Sequence, residues 1–364
     1  MNKKKKVYLD ALRIIAAGCV IYNHLPAINL FTDTKGLEQC LYMIITLFIK
    51  IAVPIFFMIS GALLLNRNEE SYEKIIKTKF FRILLVIFIF ELGLYILSII
   101  REVMNGGSVY DHPVRYFIQG MLEGSLPYCG VYWYLYIYLG YLLSLPFMQR
   151  IAPLISKKDF IFILAVHFIF SSFMPIINIW TVEAGIGDFS FDAGFDVPFA
   201  NKMIFFYPFM GYYIDQKMDM AKFNKKTIWS LLGLEALILF INCFCIYHEG
   251  MVSGEFQITY TEIFNYAYAI ITFILIKYLY EKVLVDKPYY EKLSKFICFV
   301  GPLTFGIYLL DPYMGLVLTG KYFYIAEPVL GTFFTSVTWV VVSMTICSGI
   351  TFVLKKLPVF KKIL

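Results

Sequence analysis

The sequence predicts an all-α polytopic membrane protein of about ten transmembrane helices, with both termini in the cytoplasm. Three observations predict it. Of 364 residues, 60% are hydrophobic and only 16% charged, with a mean hydropathy of +0.71, more apolar surface than one soluble core can bury. Apolar runs such as ILLVIFIFELGLYILSII (83–100) and VTWVVVSMTICSGITFVL (337–354) meet the length needed to cross a hydrocarbon core of about 30 Å. The basic residues, finally, gather in alternate connections.

Apolar windows place the spans at 7–28, 38–65, 80–102, 131–149, 160–180, 201–215, 228–247, 260–280, 299–318 and 330–354. The first follows a basic start, as a cleaved signal peptide would. Asp10 and Arg13 interrupt its apolar run and no small-residue cleavage site follows, so it reads as a retained helix. The second holds the small pair Ser60 and Gly61, which reads as a close helix contact rather than a serine nucleophile. The third, fifth, seventh and eighth carry Glu91, His167, Glu235 and Glu262, read as paired interior groups. The sixth is the weakest, being short and broken by Pro208.

The connections alternate as the positive-inside rule expects. Lys3 to Lys6 precede the first span; Arg67, Lys74, Lys77, Lys79 and Arg82 occupy the second connection, and Arg150, Lys157 and Lys158 the fourth. Lys217, Lys222, Lys225 and Lys226 follow, then Lys282, Lys287, Lys292 and Lys295, and finally Lys355, Lys356, Lys361 and Lys362. The intervening connections 181–200 and 248–259 have no Lys or Arg; the former carries Glu183, Asp188, Asp192 and Asp196. Its Phe189, Phe191, Phe195 and Phe199 suit either sugar rings or the membrane interface. The net charge of +6 therefore reports topology and not a nucleic-acid partner. The seven cysteines lack metal-ligand or paired secretory spacing and read as small core residues; no metal is expected.

A charged side chain at mid-bilayer costs roughly 2.5–3.5 kcal/mol on insertion scales, so a chain that keeps several is usually using them. The first span is richest, with Asp10, Arg13 and His24. Eleven steps of about 100° bring His24 to within about 20° of Arg13, some 16 Å further along the axis, near the outer boundary. Asp10 and Arg13 can pair at i, i+3, with Arg13 snorkelling. That leaves His24 unexplained, and Pro26 just beyond it; a helix broken at membrane depth is tolerated chiefly where it lines a cavity. Neutral imidazole can take a proton from a hydroxyl. Arginine keeps its proton and suits phosphate or a developing oxyanion. The pair points to group transfer onto a hydroxyl.

YLDALRIIAAGCVIYNH resembles the first helix of the acyltransferase-3 membrane acyltransferases, with their arginine and histidine separated by ten residues. IAVPIFFMISGALLL is similar to the family's FF-x-x-SG second helix, VYWYLYIYLGYLLSLPF to its W-[FY]-L fourth helix, and LTFGIYLLDPY to its late helix. The resemblance implies transfer of an acyl group, usually acetyl from cytoplasmic acetyl-CoA, to a hydroxyl of a cell-surface glycan, at the cell membrane and alongside polysaccharide-assembly partners. It implies a catalytic set of His24, Arg13 and Asp10. The family's R-x-x-R appears as Lys79-Phe80-Phe81-Arg82, implying CoA-phosphate contacts from Lys79 and Arg82, although lysine loses the bidentate fork. Asp311 stands where relatives often carry histidine and, with Trp133 and Tyr134, is expected at the acceptor.

Residues 1–364 are expected to form one transmembrane acyltransferase domain with no appended soluble domain. The donor arm would approach His24 from inside and the acceptor from outside, near 181–200. The rival reading is a secondary transporter or a flippase of a lipid-linked sugar, which Pro-broken helices also suit; it gives the spacing of Arg13 and His24 no reason. A sensory or anchoring domain is a third class, disfavoured with no soluble domain attached.

Overall fold

With no water in a bilayer core, backbone N–H and C=O groups must be satisfied within the chain, and apolar sequence folds there as helix. The computed structural model describes residues 6–67, 69–107, 113–187, 189, 191, 192, 194–258 and 263–364. Lys3 to Lys5, Asp188 and Glu262 lie outside the described residues. The helices, in chain order, are α1 (Val7–Asn23), α2 (Leu30–Asp33), α3 (Gly36–Ile49), α4 (Ala52–Leu64), α5 (Tyr72–Ile75), α6 (Phe81–Met104), α7 (Pro113–Glu123), α8 (Trp133–Ile151) and α9 (Lys157–Phe168). There follow α10 (Met174–Glu183), α11 (Pro198–Asn201), α12 (Met203–Gln216), α13 (Lys225–Ser253), α14 (Asn265–Tyr278), α15 (Tyr290–Val300), α16 (Thr304–Met314), α17 (Gly320–Leu354) and α18 (Pro358–Ile363). No strand occurs among the described residues, and the protein is an all-α polytopic membrane protein.

Among the described residues, six helical stretches are long and apolar enough to cross a bilayer: Gly36–Leu64, Tyr72–Met104, Gly130–Leu154, Lys157–Glu183, Lys225–Met251 and Tyr290–Leu354. The last, at 65 residues, exceeds one crossing, and Gly331 bends α17 through a φ of 72° that other residues rarely adopt. A seventh candidate is the first helix with its continuation Pro26–Asp33, bent by 77°. Helix fills each of the ten predicted apolar segments where they are described, with two departures. The first helix stops at Asn23 instead of running to 28, and the second breaks between Ile49 and Ala52. The short sixth segment is a 14-residue helix, about 21 Å long by its rise.

By their internal contacts the described residues form two units. In the first, residues 1–68 and 147–302, α4 and α12 meet backbone to backbone. A Cβ on Gly61 would lie 2.0 Å from the Pro208 carbonyl oxygen, and one on Gly211 2.0 Å from that of Met58. The Ser60 hydroxyl donates to the Phe56 carbonyl of its own helix (2.9 Å), so the small pair serves close packing as expected. At the N-terminal end of α1, Lys6 Nζ (2.6 Å) and the Tyr8 hydroxyl bind Asp215. Lys277 Nζ caps the end of α12 by donating to the carbonyls of Ile214, Asp215 and Met218 at 2.8–3.1 Å.

In the second unit, residues 69–146 and 303–364, tyrosine hydroxyls tie helices together through backbone carbonyls. Tyr132 donates to Leu309 (2.7 Å), Tyr308 to Val131 (2.6 Å) and Tyr313 to Phe90 (2.7 Å). Gly93 leaves room for the last, since a Cβ there would lie 2.2 Å from the Tyr313 hydroxyl.

Candidate active site

Arg13 Nη1 donates to Asp10 Oδ1 at 2.6 Å, one turn apart on α1. The Asp10 side chain is 4% exposed and that of Arg13 28%, so the carboxylate is buried while the guanidinium keeps one face open. Gly301 makes the burial feasible: a Cβ there would sit 2.5 Å from that of Asp10. The structure thus brings together two of the three catalytic candidates on α1.

The third, His24, is the residue that ends α1. Its N–H closes a last turn on Ile21 O (3.1 Å) and that of Leu25 on Tyr22 O (3.0 Å), after which Leu25 is extended and Pro26 starts a 3₁₀ turn. Pro26 supplies no N–H and excludes helical geometry from the residue before it. The carbonyls of the bent segment find side chains on α3: Thr46 Oγ1 donates to Ile28 O (3.0 Å) and Gln39 Nε2 to Phe31 O (3.0 Å). His24 itself is exposed.

The end of α1 meets the break in the second span. Lys50 Nζ donates to Asn23 Oδ1 at 2.7 Å. Lys50 follows the 14 residues of α3 in the middle of the 29-residue stretch Gly36–Leu64, about 21 Å from either end by helical rise. The Lys50 carbonyl accepts from Asn265 Nδ2 (3.3 Å), the first residue of α14. Three interruptions therefore share one level: the end of α1, the break between α3 and α4, and the start of α14. Irregular backbone within a span is tolerated where it is buried in protein or lines a cavity, and His24, beside these interruptions, is exposed. The sequence reading does not single out Lys50; the signal was a lone lysine at the centre of an apolar window.

The remaining site candidates lie in the second unit. Lys79 is paired with Glu70, which also lies 3.6 Å from Lys74 Nζ. Arg82 Nε donates to Ile363 O at 3.1 Å. A π-turn over Ile76–Phe80 joins α5 to α6 at this point, a local widening that often accompanies function. Asp311 is buried ahead of Pro312 within α16, and Tyr134 stacks on Tyr138 and meets Tyr308 edge-on. Trp133 begins α8 and is half-buried.

The other intramembrane polar groups have interior partners. The Tyr136 hydroxyl lies 3.0 Å from both oxygens of Glu91, Thr272 donates to Glu235 (3.2 Å), and His167 Nδ1 lies 2.6 Å from Ala200 O with its ring stacked on Phe206. Among the described residues no three His, Cys, Asp or Glu side chains gather as a metal site would require. At the end of the acidic connection before α12, Lys202 Nζ lies 2.9 Å from Asp196, and its hydrogen bond holds that carboxyl below the usual range.

The helix α1 thus carries an Arg–Asp pair with a buried carboxylate and, at its interrupted end, an exposed histidine. The family model described as an acyltransferase domain, Acyl_transf_3, matches residues 6–353, and the chain belongs to that family. It is a membrane acyltransferase. No curated protein and no solved structure matches it.

Proposed function

We propose that the protein moves an acetyl group from cytoplasmic acetyl-CoA to a hydroxyl of an extracytoplasmic cell-surface glycan, in the cell membrane, with the chain working as one transmembrane domain. The observation that carries this reading is the exposed imidazole of His24 at an interrupted helix end, on the helix that also holds the Arg13–Asp10 pair. The charge alternation supports cytoplasmic termini and hence a donor entering from the Arg13 end.

In the proposed step, neutral His24 takes the proton of the acceptor hydroxyl as its oxygen attacks the thioester carbonyl carbon. The C–O bond forms, the C–S bond breaks, and the CoA thiolate leaves with the proton returned by the imidazolium. Arg13, oriented by Asp10, orients the donor arm on its way to His24. Lys79 and Arg82 are assigned to donor phosphates, and Trp133, Tyr134 and Asp311 to the acceptor.

The test gives labelled acetyl-CoA to membranes carrying wild type, His24→Ala or Arg13→Ala and assays ester on the surface glycan. Loss of a general base costs typically 10²–10⁴-fold, so His24→Ala should fall to background while the protein remains in the membrane. Undiminished acetylation by His24→Ala overturns the proposal. Interrupted helices also suit a transporter, which would move its substrate without covalent change and leave the glycan unlabelled.

A further inference from the structure

We infer that Lys50 is a positioning residue for His24, acting through Asn23; the inference rests on the acyl-transfer reading above. Three independent observations converge on it. Lys50 stands at the centre of a 29-residue apolar stretch, where a cation costs roughly 2.5–3.5 kcal/mol on insertion scales and is retained for a use. It marks the helix break itself, since α3 ends at Ile49 and α4 starts at Ala52. Its ammonium is 2.7 Å from the side-chain oxygen of Asn23, the last residue of α1 and the neighbour of His24.

The bond joins two chain ends that their own helices leave loose. α1 has no helical continuation past Asn23, because Pro26 turns the chain away by 77°. Side-chain direction at Asn23 is coupled to the backbone of the last turn, so a clasp on Asn23 restrains the φ and ψ that orient the next residue, His24. Asn265 fixes the other side of the clasp through the Lys50 carbonyl. Arg13 lies about 16 Å below, by the helical rise, and cannot do this. A group that must meet both an acyl carbonyl and a hydroxyl has to be held within about 0.5 Å of its working place, and a histidine at a frayed helix end would not be.

The experiment compares wild type, Lys50→Met, Lys50→Arg, Asn23→Ala and the double variant Lys50→Met with Asn23→Ala, in membranes with labelled acetyl-CoA. Lys50→Met keeps length and apolar packing but removes the donor. Expected are a fall in turnover of about tenfold or more, with KM for acetyl-CoA within about twofold. Lys50→Arg should recover most of the loss, and the double variant should lose no more than Asn23→Ala alone, the signature of one shared contact. Wild-type turnover in Lys50→Met, or losses that multiply in the double variant, would overturn the inference.

A second measurement is independent of transfer. Diethyl pyrocarbonate labels accessible imidazoles, and its rate at His24, read by mass spectrometry, should change by about threefold or more in Lys50→Met and Asn23→Ala, while that at His248, a half-buried imidazole on α13 that lies 3.0 Å from Glu183, stays constant. Equal His24 labelling in all variants sinks the clasp. If wild type transfers no acetyl group but the labelling responds as expected, the fault lies with the acyl-transfer reading and the clasp stands.

Discussion

Gly61→Ala should be among the most damaging single-methyl additions in the first unit. An ideal Cβ at Gly61 stands 2.0 Å from Pro208 O and 2.5 Å from Pro208 C and Cα. Real Cβ contacts are not closer than 3.0 Å, so the two helices must open by about 1 Å. The obstructing atoms are backbone, and no rotamer change relieves them. Overpacking of this kind costs about 1–3 kcal/mol, against which alanine's better helix propensity returns under about 1 kcal/mol. Gly233→Ala is the control: that glycine is also helical, with nothing within 4 Å of its added Cβ. In detergent, Gly61→Ala should melt several degrees below wild type, at about 2–4 °C per kcal/mol for a region of this size. Gly233→Ala should melt at or above wild type. Equal melting of the two variants would refute close backbone contact between α4 and α12, and with it the packing role of the Ser60–Gly61 pair.

Asp10→Asn removes the carboxylate that Arg13 holds at 2.6 Å; because that guanidinium is partly open to solvent, the loss should be about 1–2 kcal/mol rather than the larger cost of a fully buried pair, read as a lower melting temperature. Thr46→Val keeps shape but strips the donor from Ile28 O (3.0 Å), an expected loss of about 1 kcal/mol by thermal melting; a variant as stable as wild type would show that solvent already serves that carbonyl. The Asp196 carboxyl is held low by Lys202 and Asn201, so its tether is fully present above the ordinary carboxylate pKa and is lost as pH falls through the depressed value. Hydrogen exchange over 194–202, corrected for intrinsic rate, should hold steady from pH 7 to about 5 and rise below about 4, whereas Asp196→Asn should show the loosened state throughout.

What was legible in the sequence follows from what periodicity and charge can carry. Apolar windows located helical segments where they are described, because lipid leaves the backbone no other solution. Rotation along a helix is likewise arithmetic, and it put Asp10 beside Arg13 with the correct partner. The turn was not legible: an apolar window running to residue 28 assumes one straight helix, while the chain turns after His24. Pro26 announced the break, but its direction depends on which carbonyls Thr46 and Gln39 can reach from α3. Lys50 shows the same limit in reverse. Averaging over a long window hides one lysine, and its partner Asn23 is 27 residues away. Gly301 could not be read at all, since its value lies in the space it leaves for Asp10.

The interrupted helices are costlier than straight ones would be, and the cost bears on mechanism. Each break strands backbone groups that water would otherwise serve, and the chain meets them with Thr46, Gln39 and Asn265, three polar residues placed among apolar neighbours. A straight α1 would need none of them, but the backbone of residue 24 would then be locked in the helical ladder. His24 is exposed where α1 ends, and Lys50 ties that end to the middle of the second span. The same arrangement accounts for two unlike features of α1: a buried, well-paired carboxylate at one end, where α1 must stay fixed, and an exposed histidine at the other. A rigid base with a restrained but open tip is what a group needs if one partner comes along the helix and the other across its end.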